Sequence, residues 1–250
     1  MSGKENILLL YSGGLDSRLA AKILKDKGYQ ITAFFFHLPF ASDKAIHDNF
    51  LGSLDIPIEI FDCTRGELLQ NFLSVLKKPK YGRGAGYNPC IDCKLFMTNH
   101  LTRFFKNHEF KAIATGEVPG QRPMSQTTGK MKIIKEQTEP EMIRPLQDLG
   151  IEGRSRKRQI ELARQYGIDF PNPGGGCLLC EKELKTRFAI LIENNLVDDQ
   201  TLPVTKIGRH FYDEETRTWY VAGRNKEEND VLETFENVIQ SGKGKPAVFF

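Results

Sequence analysis

Tyr11-Ser12-Gly13-Gly14-Leu15-Asp16-Ser17 separates an apolar run from an amphipathic one. Residues 6–10 before it end in four consecutive apolar side chains, a pattern typical of a buried parallel strand. Residues 18–24 after it place apolar side chains on one face of a predicted helix. A strand, a glycine turn and a helix in this order present backbone N–H groups and the positive end of a helix to a phosphate. The stretch therefore predicts a phosphate-binding turn.

The residue types of this turn suit that role. Gly13 and Gly14 let the backbone approach a ligand without a Cβ in the way. The hydroxyls of Ser12 and Ser17 are further hydrogen-bond donors, and Asp16 is expected either to hold Mg²⁺ or to cap the helix. No Gly-Lys-Ser/Thr follows, so the spacing is not that of the Walker loop. A serine-glycine turn with an ordinary N-cap is the alternative.

Apolar runs alternate with helical patterns after this turn. Further strands are predicted over residues 30–36, 57–61 and 111–115, with helices over residues 42–54 and from 64 onward. This alternation predicts an α/β fold with a doubly wound parallel sheet. Ligands of such sheets bind beyond the carboxyl ends of the strands, so the turn is expected at the mouth of the site. Phe36 and His37 end the second strand and are candidates to flank an adenine, with a core or rim role as the alternative.

The composition of the chain indicates the cellular compartment and the kinds of partner to be expected. Hydrophobic residues make up 40% and charged residues 27% of the 250 residues, as in soluble globular proteins. No apolar run approaches the length of a membrane span and the N-terminus lacks a signal-peptide pattern, so a cytoplasmic protein is expected. The net charge of +3 is too small to indicate a nucleic-acid partner by itself. Five cysteines in such a chain favour metal or redox roles over disulfides.

Four of the cysteines lie in two short segments. Cys90 and Cys93 stand at the start of a predicted helix, where two thiolates can hold one metal and the helix end favours the anionic form. Cys177 and Cys180 follow a loop rich in glycine and proline. Three of these thiols would leave one iron of a [4Fe–4S] cluster open, whereas four would suit structural zinc or a fully ligated cluster. Cys63 is expected to be a small buried apolar residue.

Several segments together resemble known enzymes. Residues 12–17, Ser-Gly-Gly-Leu-Asp-Ser, resemble the SGGxDS motif of the PP-loop ATP pyrophosphatases, which adenylate a substrate and release pyrophosphate. Four segments resemble signatures of the tRNA 4-thiouridine synthetases: Thr-Gly-Glu at 115–117, Gly-Gln at 120–121, Ser-Gln-Thr at 125–127 and Ile-Arg-Pro-Leu at 143–146. Asn-Pro-Cys-x-x-Cys at 88–93 resembles the tRNA 2-thiouridylases. A Cys-x-x-Cys with one distant cysteine is similar to cluster-dependent tRNA thiolation enzymes.

The resemblance implies an AMP-forming tRNA sulfurtransferase, most like those that make 4-thiouridine. ATP would adenylate a uridine carbonyl oxygen, and sulfur would then replace that oxygen. Backbone amides of the turn and Mg²⁺ would stabilise the departing pyrophosphate. Thr115, Gly116 and Gln121 are implied to close over the nucleotide. The expected nucleotide-binding residues are therefore Tyr11, Ser12, Gly13, Gly14, Asp16, Ser17, Phe36, Thr115, Gly116 and Gln121.

The same resemblance implies Cys90, Cys93 and Cys177 as ligands of a [4Fe–4S] cluster, with Cys180 as a possible fourth and zinc as the alternative occupant. Asp16, Ser17, Cys90 and Cys93 are the expected catalytic residues. In the alternative 2-thiouridine-type route, Cys90 or Cys93 bears a persulfide and no cluster exists. A non-catalytic RNA- or metal-binding protein on this fold is the remaining alternative, and the intact motif at 12–17 argues against it.

Residues 197–250 are predicted to form a small domain after a nucleotide-binding domain of residues 1–196. A hairpin over 205–225, a helix and a strand at 247–250 are expected there. The pattern Gly-Arg-His…Val-Ala-Gly-Arg-Asn resembles the NFACT RNA-binding domain, which implies RNA contacts by Arg209, His210, Arg224 and Lys226. Arg154 and Arg156, in a basic stretch earlier in the chain, are further candidates for phosphate contacts, with a solvated helix face as the alternative.

The expected partners are tRNA and a sulfur donor, either sulfide or the persulfide of a cysteine desulfurase. No membrane partner is expected, and a homodimer is left open. The sequence contains no recognisable N-terminal tRNA-binding domain of the 4-thiouridine synthetases and no rhodanese-like domain. The C-terminal region is therefore expected to help hold tRNA, and the cysteine group to carry the sulfur.

Overall fold

The computed structural model describes residues 5–41, 49–104, 106, 110–139, 141–171, 176–240 and 246–249. Its strands are β1 Asn6–Leu10, β2 Gln30–His37, β3 Ile58–Asp62, β4 Ala112–Thr115, β5 Glu141–Ile143, β6 Arg209–Asp213, β7 Thr218–Ala222, β8 Val238–Gln240 and β9 Pro246–Phe249. Its α-helices are α1 Leu15–Asp26, α2 Phe50–Ser53, α3 Gly66–Lys77, α4 Cys90–Phe104, α5 Thr128–Glu136, α6 Pro145–Asp148, α7 Lys157–Gln165, α8 Lys185–Glu193 and α9 Lys226–Leu232. Short 3-10 helices lie at Leu178–Cys180, Lys182–Leu184 and Leu202–Lys206.

Strands β1 to β5 form a parallel sheet in the order β3-β2-β1-β4-β5. The central strand β1 is in register with both neighbours, so that Leu10 pairs with Phe34 of β2 and with Thr115 of β4. Parallel strands in register end at the same edge of the sheet. The turn after Leu10 and the segment after Thr115 are therefore neighbours, and the predicted doubly wound α/β fold is confirmed.

Burial explains why β1 and α1 form where they do. All of β1 except its first residue is buried, because helices cover both faces of a parallel sheet. Helix α1 is buried on two sides: Ala20 and Leu24 pack in one apolar cluster with Ile7 and Leu9 of β1, whereas Leu19 packs in another with residues of α6 and α7. This packing fixes the direction in which the start of α1 points.

The structure differs from the predicted elements in places. The predicted helix over 42–54 corresponds to α2 at Phe50–Ser53, and residues 42–48 lie outside the described residues. Strand β5 and helix α5 were not predicted. Strand β5 has only three residues, and α5 contains glycine, threonine and lysine beside its few apolar positions.

Strands β6 to β9 form an antiparallel sheet in the order β6-β7-β9-β8. The predicted hairpin is present as β6 and β7, whereas β8 was not predicted. One apolar cluster contains Phe72 of α3, Phe188 of α8, Trp219 of β7 and Val248 of β9. The four-stranded sheet therefore packs on the helices that precede it, and the boundary at 196/197 stays a prediction. No helix in the described part of the chain is both long and apolar enough to span a membrane.

Candidate functional site: a phosphate-binding turn beside a group of thiols

The turn at residues 11–17 is held at both ends by the fold. The backbone N–H of Tyr11 donates to the carbonyl of Phe34, which continues the pairing of β1 with β2. Gly13 has a φ of +71°, a conformation that residues with a side chain rarely adopt. Gly14 is the N-cap residue of α1 and has no side-chain cap. Because the first N–H groups of a helix have no partner within it, the start of α1 can receive an anion.

Ser17 and Arg18 brace this turn from the helix side. Ser17 Oγ donates to the carbonyl of Gly14 at 2.9 Å and lies 3.3 Å from Ser12 Oγ. Arg18 donates from Nε to the carbonyl of Gly13 at 2.7 Å and from Nη1 to that of Asp169 at 2.8 Å. Arg18 is buried, so its guanidinium supports the turn from inside. Sequence reasoning missed this role because arginine is ordinarily exposed.

Gly116 places the end of β4 directly against the turn. A Cβ at Gly116 would lie 2.5 Å from the carbonyl carbon and oxygen of Asp16 and 2.7 Å from the backbone nitrogen of Ser17. Only a residue without a side chain allows two backbone segments to approach this closely. Gly116 therefore contacts the turn directly through its backbone, and its expected role in closing over the nucleotide stays a prediction.

Asp16 is oriented by two glutamines. Gln121 donates from Nε2 to Asp16 Oδ2 at 2.7 Å, and Gln159 donates from Nε2 to Gln121 Oε1 at 2.9 Å. Gln159 is completely buried and belongs to α7. Gln121 was predicted as part of the site, whereas Gln159 carries no local sequence signal because its role depends on the packing of α7 against α1.

The second carboxylate oxygen of Asp16, Oδ1, is buried and has no hydrogen-bond partner among the described residues. Burial raises the pKa of Asp16, while the Gln121 hydrogen bond and the charges of Arg156 and Arg122 oppose this shift. An unpartnered carboxylate oxygen at a phosphate-binding turn suits Mg²⁺, which prefers oxygen ligands. Asp16 is therefore suited to bind the predicted Mg²⁺. The positive charge of Arg156, a predicted phosphate contact, lowers the pKa of this carboxylate.

The cysteines of the two segments come together. Cys90 and Cys93 lie in the first turn of α4, as predicted. The Cys180 thiol hydrogen-bonds with the thiols of Cys90 and Cys177, and Cys93 interacts electrostatically with Cys90 and Cys180. Within the described residues, no group of three or more His, Cys, Asp or Glu side chains is arranged to hold a metal ion. Cys63 is buried in an apolar cluster, as predicted.

The expectation that the helix start lowers the thiol pKa values is wrong. The hydrogen bond with Cys180, followed by burial, raises the pKa of Cys90 far above its usual range. Burial raises the pKa of Cys93 to about 12. The hydrogen bond that Asn88 donates to Cys90 Sγ at 3.1 Å and the charge of Arg122 act in the opposite direction and do not prevail. Cys90 and Cys93 therefore favour the neutral thiol form in this arrangement, because of the contact with Cys180 and of burial.

The segment 119–126 connects the thiols to the nucleotide turn. Gln121 contacts Asp16, and the charge of the adjacent Arg122 acts on Asp16, Cys90 and Cys180. The segment is itself fixed, because the backbone N–H of Gly120 donates to the carbonyl of Gln126 at 2.6 Å. Arg122 therefore acts electrostatically on both the turn and the thiols.

A buried group of charges lies beside this site. Glu117 Oε2 is 3.2 Å from Nε of Arg144, and its Oε1 is 3.6 Å from Nζ of Lys94. The Glu117 and Arg144 side chains are only 4% and 7% exposed, so each charge is stabilised by the other and not by water. Thr115, expected to close over the nucleotide, is buried and donates from Oγ1 to Glu117 Oε2 at 3.3 Å. Lys94 follows Cys93, so the group ties the cysteine helix to the end of β4.

Phe36 and His37 occupy different environments. Phe36 is buried and packs against Phe61 and His100, with ring centroids 5.0 and 5.9 Å away. The structure thus favours the core role of Phe36 over the adenine contact. His37 lies at the rim, with Nδ1 3.7 Å from Asp62.

Two predicted RNA contacts in the C-terminal sheet are engaged internally. The indole of Trp219 donates from Nε1 to His210 Nδ1 at 3.0 Å, so His210 Nε2 carries the proton and donates to the carbonyl of Ile207 at 2.7 Å. Burial, with the charge of Arg187, lowers the pKa of His210 to about 4. Arg224 is paired with Glu228 through Nε at 3.0 Å. Both ring nitrogens of His210 are therefore engaged within the protein and Arg224 is paired with Glu228, and RNA contacts by these two residues stay a prediction.

Fold and site together define a nucleotide-binding α/β protein with a PP-loop. The chain belongs to the family described as thiamine biosynthesis protein (ThiI), whose model matches residues 2–170. This membership and the relatives below confirm the predicted resemblance to PP-loop proteins of the tRNA thiolation type. The NFACT-like interpretation of the C-terminal region stays a prediction.

Curated relatives are similar over part of the chain. The tRNA-specific 2-thiouridylase MnmA of Desulfosudis oleivorans is 36% identical over 89 residues, which are 35% of this chain and 24% of that protein. Argininosuccinate synthase of Lactococcus lactis is 27% identical over 172 residues, 68% of this chain and 42% of that protein. A solved structure, a predicted subunit of tRNA methyltransferase from Methanocaldococcus jannaschii, has a TM-score of 0.43 and 17% identity, covering 64% of this chain and 76% of that one. The chain thus spans less than half the length of these two curated relatives.

Proposed function

We propose that this protein uses ATP to adenylate a uridine of tRNA and then replaces the activated oxygen with sulfur. The observation that carries the proposal is the position of Arg122, whose charge acts both on Asp16 of the PP-loop and on Cys90 and Cys180 of the thiol group. A site with only the turn could bind ATP, and one with only the thiols could bind a metal. Their combination matches a two-step replacement of oxygen by sulfur.

In the first step a uridine carbonyl oxygen attacks the α-phosphorus of ATP, and the bond to the β-phosphate oxygen breaks. The backbone N–H groups at the start of α1 and the hydroxyls of Ser12 and Ser17 stabilise the departing pyrophosphate. Asp16, oriented by Gln121, would hold Mg²⁺, which when bound would offset the negative charge of the phosphates. Arg122 and Arg156 add positive charge on the side of Asp16.

In the second step a sulfur nucleophile adds to the activated carbon, and the carbon–oxygen bond breaks with release of AMP. The donor set fits a cluster chemically, because soft thiolates suit iron–sulfur clusters and zinc. When bound, a [4Fe–4S] cluster would supply an iron with an open position for sulfide. Cys90, Cys93 and Cys177 would hold it, once their protons have been released.

The contact of Cys180 with Cys90 favours a second route without a cluster. The terminal sulfur of a persulfide on Cys90 would attack the carbon, and the Cys180 thiol would then break the sulfur–sulfur bond. This leaves thiouridine and a Cys90–Cys180 disulfide, which a thiol reductant must reduce before the next cycle. Cys180 is placed for this role because it hydrogen-bonds with Cys90.

The first experiment measures pyrophosphate release with unmodified tRNA. Asp16→Asn and Ser17→Ala should lower the rate at least about 100-fold, because both act on the leaving group. Asp26→Asn is the matched control, since Asp26 lies at the other end of α1 and pairs with Lys22 on the surface. Unchanged release in Asp16→Asn would refute the assignment of the turn.

The second experiment assigns product and sulfur route. Mass spectrometry of the nucleosides should detect 4-thiouridine, whereas 2-thiouridine would support the MnmA-like alternative. Protein purified without oxygen should contain iron and sulfide in wild type and in Cys180→Ser, but not in Cys177→Ser. Absence of iron, with a Cys90–Cys180 disulfide after one turnover, would select the persulfide route. A strain lacking the protein that requires thiamine but has fully thiolated tRNA would overturn the proposal.

A further inference from the structure

The antiparallel sheet has one buried and one exposed face. Trp219, Val221 and Val248 are at most 1% exposed and pack in the apolar cluster with Phe72 and Phe188. Neighbouring residues of a strand point to opposite faces, so the residues beside these three face away from the core. The exposed face of an antiparallel sheet is ordinarily polar.

This exposed face instead carries a row of aromatic side chains. Phe211 of β6 pairs with Tyr220 of β7, and Tyr220 pairs with Phe249 of β9. Directly paired residues point to the same side of the sheet, so the three rings stand side by side across adjacent strands, at intervals of about 4.8 Å between strands. Phe211 is 57% and Phe249 37% exposed, and Tyr220 is partly exposed. We refer to Phe211, Tyr220 and Phe249 as the aromatic row.

The charges around the aromatic row are arranged unevenly. Arg209 lies two residues before Phe211, on the same face of β6, and is exposed. Arg224 follows the same end of β7, but its side chain is paired with Glu228 and adds little net charge there. The other end of the hairpin is acidic, and Asp213 there accepts hydrogen bonds from the turn N–H groups of Glu215 and Thr216. A ligand with aromatic surface and negative charge is therefore complementary to the row and its arginine end.

We propose that the aromatic row binds the unstacked bases of single-stranded RNA, with Arg209 contacting the adjacent phosphate. Bases stack on exposed aromatic rings of a sheet because every base has a π-face, and the charge of arginine neutralises the backbone. A base-paired helix cannot use the row, because its bases are stacked on each other. The proposal rests on the proposed function only for the choice of RNA, and the binding requires neither the PP-loop nor the cysteines.

The test is fluorescence anisotropy with a labelled ten-nucleotide single-stranded RNA, using the full chain. Phe211→Leu, Tyr220→Leu and Phe249→Leu keep an apolar side chain but remove the π-face, and each should weaken binding about tenfold. Phe211→Tyr keeps a π-face and should bind as wild type. Thr218→Ala, on the same face of β7, and Phe104→Leu, an exposed phenylalanine of α4, are matched controls that should bind as wild type. Trp219, the only tryptophan, reports by its fluorescence whether the sheet stays folded.

Three results would overturn the proposal. One is equal affinity of wild type for the same RNA annealed to its complement, or for an abasic strand of equal length. A second is unchanged binding by the leucine variants when their Trp219 emission is native. A third is conversion of a dimer to a monomer by Phe211→Leu, which would make the row a contact between copies of this chain. The proposed function is tested separately from the RNA binding. Asp16→Asn should lose pyrophosphate release but should bind the RNA with the affinity of the wild type.

Discussion

Gln121 donates a hydrogen bond from Nε2 to Oδ2 of Asp16 at 2.7 Å, between residues 105 positions apart in the chain. It joins the turn after β1 to the segment after β4, and Gln159 supports it from α7. The contact leaves Asp16 with one engaged and one unpartnered carboxylate oxygen. The site thus holds its carboxylate in one orientation before any ion or nucleotide binds.

Asp16→Asn should make the protein more stable at pH 7 in EDTA. Burial raises the folded-state pKa of Asp16 above its usual value of 3.8. The contribution of this carboxyl group to the free energy of unfolding therefore falls as the pH rises from the unfolded-state pKa through the folded-state pKa, and it stays lower at pH 7. Asparagine does not ionise and avoids this loss. Urea denaturation should show a higher midpoint for the variant in EDTA, and added Mg²⁺ should stabilise only the wild type. A variant less stable than wild type under these conditions would contradict this account.

Gly116→Ala should abolish turnover and destabilise the fold. The added Cβ would meet the backbone of Asp16 at 2.5 Å, so the turn must move, at a cost of about 1–3 kcal/mol. Pyrophosphate release and thermal denaturation measure both effects. Gly129→Ala is the matched control, because no atom lies within 4 Å of its Cβ and Gly129 belongs to α5. That variant should be stabilised by roughly 0.5–1 kcal/mol and should remain active.

Glu117→Gln should destabilise the protein by about 3 kcal/mol. Arg144 is 7% exposed, so loss of the carboxylate leaves a buried guanidinium without its counter-charge. Chemical denaturation measures the change. Glu136→Gln removes one partner of the exposed pair between Lys132 and Glu136 and should change the free energy of unfolding by less than about 0.5 kcal/mol. Equal effects of the two substitutions would argue against a buried ion pair.

The C-terminal sheet should lose stability as pH falls from about 6.5 to about 4. Over this window the unfolded state takes up a proton at His210, whereas the folded state does not, because Nδ1 accepts from Trp219 and Nε2 donates to Ile207. The shift corresponds to about 3 kcal/mol. Trp219 fluorescence during urea titrations at several pH values should follow this loss.

His210→Gln is the control for this titration, because glutamine does not ionise. The charges that act on His210 are those of Arg187 and Arg224, which disfavour its protonation, and of Glu228, which favours it. Glu228 has its pKa lowered to about 2 by Arg224, so its own stabilisation is lost at lower pH. If the stability of the wild type changes with pH in the same way as that of His210→Gln between pH 6.5 and 4, His210 is not the cause of the loss of stability.

The features that were predictable from the sequence are local ones. The apolar run at 6–10, the glycines of the turn and the cysteine pair at 90 and 93 each carry their signal within a few residues, and each lies where it was expected. The roles of Arg18, Gln159 and Lys94 depend on segments distant in the chain, so no local pattern could reveal them. The preference of Cys90 and Cys93 for the anionic form was predicted wrongly, because a helix end is visible in the sequence, whereas burial and the contact with Cys180 depend on the packed molecule.

The apolar cluster shared by Phe72, Phe188, Trp219 and Val248 has a consequence for how the chain folds during synthesis. The parallel sheet can assemble from residues up to about 145, but α3 and α8 keep an uncovered apolar surface until β7 and β9 have left the ribosome. Val248 is therefore among the last residues that complete a core begun near Phe40. A nascent chain in which Val248 is still inside the ribosome should remain sensitive to protease along α3 and α8, and should become resistant only after Val248 has emerged.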